Sequence, residues 1–149
     1  MRRTLRVFLV LLPAVLLPLA LEAQQAGGTG GRQAPEQGFR LEQNYPNPFN
    51  PETRIPFELL QDAFHDGRPA TVSIRIFNVL LQYVGSPTAL NHPAGDGTPV
   101  IDLEYTGPGR HEAYWDGRDR SGQAVASGVY ILELTVNGRS RQMRMFVTK

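Results

Sequence analysis

GVYILELTVNGRSRQMRMFVT, residues 128 to 148, is the stretch whose reading decides the fold. On its first arm Tyr130, Leu132, Leu134 and Val136 fall at every second position. On its second arm Met143, Met145 and Val147 alternate with Arg144, Phe146 and Thr148. A period of two is that of a half-buried β-strand, whose side chains point alternately to core and solvent. Asn137-Gly138 lies between the arms, and this pair accepts the positive φ values of a type I′ turn. The spacing therefore predicts a β-hairpin over residues 128 to 148.

The same period recurs upstream. In TVSIRIFN, residues 71 to 78, Val72, Ile74 and Ile76 face one way while Ser73, Arg75 and Phe77 face the other. Further strands are expected near 53–59, 80–85, 99–105 and 111–116. With the hairpin these make about seven short antiparallel strands, and the class is all-β, an immunoglobulin-like β-sandwich. Residues 60–70 and 86–97 are rich in Pro, Gly, Asn and Asp and read as loops, the first with one helical turn around Asp62 to Phe64. Trp115 alternates with His111 and Ala113 and is expected in the core.

The chain has 149 residues, no cysteine and a formal net charge of +1, which suits one domain with short appendages. Arg2, Arg3 and Arg6 precede an apolar run from Val7 to Leu21 that Pro13 and Pro18 interrupt. Residues 1–23 read as a secretory signal peptide, cleaved after Ala23 or Ala26, and engaging the Sec machinery. The run falls short of the roughly 18 to 20 apolar residues needed to span a bilayer, and without cysteine there is nothing to lipidate. Residues 24–38, QQAGGTGGRQAPEQG, are nearly free of aliphatic side chains and read as a flexible linker. Gly27, Gly28, Gly30 and Gly31 follow no strand and precede no Lys-Ser/Thr pair, so they are not a phosphate loop. The folded domain is expected over 39–149, and no cargo domain is evident ahead of it.

Without its leader the chain keeps 12 of 15 basic and 13 of 14 acidic residues, a net charge of −1, which gives no electrostatic basis for binding nucleic acid. An exported chain without disulfides must rely on burial for its stability. His65, His92 and His111 have no ligand-spaced partner, so no zinc site is expected. In WDGRDRSG, residues 115–122, an EF-hand would need amide or acidic side chains where Arg118 and Arg120 stand; the stretch reads as a tight Asx-stabilised turn. Ser127 lies in no Gly-x-Ser-x-Gly elbow. Glu104, Glu112 and Glu133 are scattered over strand faces, where solvation of the outer surface accounts for them. No catalytic centre, cofactor, metal or small-molecule substrate is expected.

NYPNPFNP, residues 44–51, is different in kind. Each proline fixes its own φ and lacks an N–H, and each biases Tyr45, Asn47 or Asn50 before it away from helical geometry. The reading is a stiff, polyproline-like segment without a sheet partner, pinned by burial of Tyr45 and Phe49 while asparagine amides bond the backbone. Covering a sheet edge against aberrant pairing is one role for it, and recognition is another.

Four stretches together carry a resemblance: N-Y-P-N-P-F-N-P-x-T-x-I-x-F at 44–57, V-x-I-x-I-F-N-V at 72–79, W-D-G-R-D-x-S-G-Q-x-V-A-S-G-V-Y at 115–130, and a basic, apolar-alternating C-terminus ending in lysine. Over residues 41–149 the chain resembles the type A C-terminal sorting domain of the type IX secretion system, related to the immunoglobulin-like domain of the flagellar hook-capping protein. The resemblance implies a sandwich that directs an exported protein through an outer-membrane translocon and is then removed or exchanged for a surface anchor. It implies the outer-membrane secretion machinery as partner, with passage through the periplasm to the cell surface or medium. The recognition residues it implies are Asn44, Pro46, Asn47, Pro48, Phe49, Asn50 and Pro51, Gly128 and Tyr130 at a strand start, and Val147 and Lys149 on the last strand. For Gly128 and Tyr130, ordinary strand-start packing is the alternative reading and suffices to account for both. Three functions stay open: a sorting module, a structural assembly block of the envelope or a surface appendage, and an enzyme.

Overall fold

The computed structural model describes residues 38–149; the expected signal peptide, and all of the expected linker but Gly38, lie outside them. Nine strands follow in order: β1 (Phe39–Leu41), β2 (Thr53–Leu59), β3 (Ala70–Asn78), β4 (Tyr83–Gly85), β5 (Thr88–Leu90), β6 (Leu103–Tyr105), β7 (Gly109–Trp115), β8 (Gly128–Val136) and β9 (Arg139–Val147). One sheet runs β1-β2-β7-β5; the other runs β4-β3-β8-β9, with β6 also on β3. Every pairing is antiparallel, and the two sheets pack as a sandwich.

Alternation explains which side chains meet between the sheets. Ile55, Phe57 and Leu59 of β2, with Ala113 and Trp115 of β7, face Val72, Ile74 and Ile76 of β3 and Leu132, Leu134 and Val136 of β8, all buried. Trp115 is only 2% exposed, as its place in the alternation requires. The hairpin forms over 128–147 with Asn137 at φ 49° and Gly138 at φ 81°, the two positive values of a type I′ turn. Ser73 faces outward yet is buried. Its hydroxyl donates to Asp102 Oδ1 (2.9 Å) and accepts from the Asp102 N–H (2.8 Å), so the β5–β6 connection seals that face.

Several expectations need correction. Among the described residues there are nine strands where about seven were expected; the two added ones, β1 and β5, are each three residues long, too short to display two periods of alternation. The expected strand at 80–85 is a turn over residues 79–81 followed by β4, since Asn78 Oδ1 accepts the N–H groups of Leu80 and Gln82 (3.0 Å each) and closes the chain there. β5 lies in the segment read as a loop. The helical turn expected near Asp62 is a pair of 3₁₀ turns, Gln61–Ala63 and His65–Gly67.

Candidate recognition surface

Segments far apart in sequence gather at one end of the sandwich: residues 44–52, the 79–81 turn, the 116–128 loop, and Val147 to Lys149. Residues 44–51 are not a partnerless extended rod. They form a run of bends with single bridges at Tyr45 and Phe49, and the Tyr45–Pro46, Asn47–Pro48 and Asn50–Pro51 peptide bonds are cis.

The bridges lace the two sheets together. Tyr45 exchanges backbone hydrogen bonds with Arg54 of β2 (2.9 and 2.8 Å). Phe49 N–H donates to the Phe146 carbonyl and Phe49 C=O accepts from Thr148 N–H, both at 2.9 Å, which is a parallel bridge onto β9 of the opposite sheet. Asn47 Oδ1 accepts the Phe146 N–H (2.9 Å). The prolines cannot donate, so the donors between them and the asparagine amides make these bonds.

Asn44 is buried, and its Nδ2 donates to Thr53 Oγ1 (3.0 Å) and the Pro46 carbonyl (3.2 Å) while Thr53 Oγ1 donates to that same carbonyl (3.0 Å). Phe49 sits edge-on to Trp115 with ring centroids 5.5 Å apart, and Trp115 meets Tyr130 likewise at 5.8 Å. Tyr45 departs from expectation: it is 46% exposed and pins nothing by burial. Its hydroxyl instead donates to Glu112 Oε1, and Arg54 Nη1 donates to Glu112 Oε2 (3.1 Å). The Tyr45 hydrogen bond, followed by Arg54, holds the Glu112 carboxyl below the usual range, and the same bond raises the Tyr45 phenol.

The 116–128 loop is built from Asx turns, as its sequence suggests. Asp116 Oδ1 accepts the Arg118 N–H (3.0 Å). Asp119 Oδ1 accepts the Ser121 hydroxyl (2.6 Å) and the N–H groups of Ser121 (2.8 Å) and Gln123 (3.0 Å), and these bonds, the hydroxyl first, lower the Asp119 carboxyl. Trp115 Nε1 donates to the Arg118 carbonyl (2.9 Å). Gly117 has φ +70°, and a Cβ there would lie 2.2 Å from the Pro51 carbonyl oxygen. Only glycine allows this loop to seat on residues 44–51.

Of the residues singled out in the sequence, Asn44, Phe49, Tyr130 and Val147 have buried side chains, while Pro46, Pro48, Asn50, Pro51, Gly128 and Lys149 are exposed and Asn47 is half-buried. Tyr130 Oη donates to the Ala126 carbonyl (3.0 Å), closing a corner at the start of β8. Lys149 N–H donates to Ser127 Oγ (3.1 Å), tying the last residue to that corner.

Two features escaped the sequence reading. Val79, Leu80 and Leu81 are 65%, 73% and 67% exposed on the β3–β4 turn, with Leu81 at φ 58°; three consecutive aliphatic residues were the available signal. His92 and His111 both pack edge-on against Tyr105, with centroids 4.6 and 4.5 Å away. Burial first, and the nearby His92 second, lowers the His111 imidazole, and burial pushes the Tyr105 phenol up to about 12. Among the described residues no group of three or more His, Cys, Asp or Glu gathers as a metal site.

Among solved structures the chain is similar to dimeric latent PorU of Porphyromonas gingivalis, at 17% identity and a TM-score of 0.48, covering 74% of this chain and 9% of that one. It is also similar to PorZ of the same organism, described as an essential bacterial surface component of the type-IX secretion system, at 21% identity and a TM-score of 0.42, covering 73% of this chain and 11% of PorZ. The chain thus spans about a tenth of the length of each of these two proteins. No family model matches the chain, and no curated protein does.

Proposed function

We propose that residues 39–149 act as a non-catalytic sorting domain, taken up by an outer-membrane translocon of the type IX kind and delivered to the cell surface or beyond. The observation that carries this reading is convergence. The proline-rich segment, the WDGRD loop, the Gly128–Tyr130 strand start and the terminal lysine are separate in sequence, yet they interlock at one end of the sandwich. Buried Asn44, Phe49 and Tyr130 hold that end rigid, so exposed Pro46, Pro48, Asn50, Pro51 and Lys149 are presented in a fixed arrangement. A rigid surface loses little conformational entropy when a receptor binds it.

The test is a fusion of residues 39–149 to a periplasmic reporter. The expected outcome is reporter activity outside the cell, reduced by Asn50→Ala and Lys149→Ala with circular dichroism unchanged. A reporter that stays in the periplasm while the fused domain is folded rejects the reading.

A second reading is a structural assembly block of the envelope. The exposed Val79–Leu81 turn favours it, because a contiguous aliphatic tip suits association. That reading expects concentration-dependent oligomers in sedimentation, dispersed by Leu80→Ser, with no export of the reporter.

A further inference from the structure

Strand β9 is at the edge of its sheet, paired on one side with β8. Its far end shows which backbone groups point outward. Phe146 turns both its N–H and its C=O away from β8, the first to Asn47 Oδ1 and the second to the Phe49 N–H. Backbone groups alternate sides along an antiparallel strand, so those of Ser140, Gln142 and Arg144 point the same way. These three residues are exposed, and no strand among the described residues pairs with their outer edge. Residues 44–51 therefore occupy the last part of this edge; before it β1 packs close beside β9, and no strand among the described residues takes up the outward groups of Ser140, Gln142 and Arg144.

The charge on this arm selects an occupant. Arg139, Arg141, Arg144 and Lys149 fall between Leu134 and the end of the chain, and that span holds no Asp or Glu. Like charges oppose pairing of two such edges with each other, the usual protection of an edge strand. Arg139 and Arg144, both exposed, attract an acidic chain, while main-chain bonds supply the docking geometry. Phe49 already demonstrates parallel addition to this strand.

We propose that the outer edge of β9 from Ser140 to Arg144 is a docking site for an extended acidic segment of a partner protein, added to the sheet as a further strand. The inference stands on the edge geometry and not on export. A reporter that fails to leave the cell leaves it intact, and a failure of strand docking leaves the sorting reading intact.

The experiment titrates the purified protein into labelled Thr-Val-Glu-Val-Glu-Val-Thr and into its lysine counterpart, followed by fluorescence anisotropy. The acidic peptide binds, more weakly as salt is raised, and the lysine peptide does not. Gln142→Ala keeps the binding, because the side chain is not the donor. Gln142→Pro, which removes an outward N–H without breaking the β8 ladder, weakens it by about tenfold or more. Should the proline variant prove misfolded by circular dichroism, the double variant Arg139→Glu, Arg144→Glu carries the test and reverses the preference between the peptides. No binding of the acidic peptide, equal binding of both, or equal loss in the two Gln142 variants overturns the proposal. So does a dimer of the unaltered protein in sedimentation that Gln142→Pro dissociates, which would assign the edge to a second copy.

Discussion

The two ends of the sandwich are closed by different means. At the end holding residues 44–52, the contacts join segments remote in sequence: Asn47 reaches Phe146, Phe49 packs on Trp115, and Pro51 abuts Gly117. At the opposite end one turn residue does most of the joining. Asn137 Nδ2 donates to the Ala63 carbonyl (2.7 Å), its Oδ1 accepts the Thr71 N–H (2.9 Å), and its own N–H donates to the Thr71 carbonyl (2.9 Å). A polar clasp at one end and an aromatic, proline-braced lock at the other imply different costs when each is broken.

The largest effect is expected at Trp115, which touches both Phe49 and Tyr130. Trp115→Ala should cost roughly 3 to 5 kcal/mol through cavity formation, and a denaturant titration giving under about 1 kcal/mol would remove the aromatic lock from the comparison. Next is Gly117→Ala, where a methyl group must displace the Pro51 carbonyl and the residue must hold a positive φ. About 2 to 4 kcal/mol of destabilisation is expected, with amide exchange accelerated at Phe49 and Thr148 but not at Thr71. Uniform acceleration across both ends would mean that the lock has no separate identity.

Breaking the clasp should be milder. Asn137→Ala leaves the Thr71 N–H and the Ala63 carbonyl without their partner, for about 1 to 3 kcal/mol. Its signature is the mirror image: exchange rises at Thr71 and not at Phe49. The smallest effect concerns pH. His111 in the folded chain holds its proton less tightly than in the unfolded chain, where its pKa is near 6.5. The unfolded state therefore binds more protons, so the contribution of this group is present above that value and is lost as pH falls below it. The thermal midpoint should drop between about pH 7 and pH 5, and His111→Phe should flatten that part of the profile. An unchanged profile would exclude His111 as its source.

The same contrast governs what could be read in advance. The hairpin, its Asn-Gly turn, the β2, β3 and β7 strands, the Asx turns of the 116–128 loop and the burial of Trp115 all follow from neighbours in sequence. β1 and β5 were invisible because three residues offer no period to detect, and the turn after Asn78 depends on one side chain capping two amides. For residues 44–51 the chemistry was legible but the partners were not, since Phe146 lies about a hundred residues away, and Tyr45 was assigned to burial when it serves a surface carboxylate. Gly117 could be read as a turn glycine, but its pressure against Pro51 exists only in three dimensions.

The Phe49 bridge has a mechanical side. The described chain comes in at Phe39 beside Leu59 and leaves past Val147 beside Gly128, at opposite ends of the strands. Tension between those points runs along β9, so the bridge and the β8 ladder are loaded in shear, with many hydrogen bonds resisting together instead of opening one at a time. In an optical-tweezer pull the domain should yield in a single abrupt step, at lower force once Phe49→Ala loosens the bridge. A gradual, stepwise extension would mean that the strands peel.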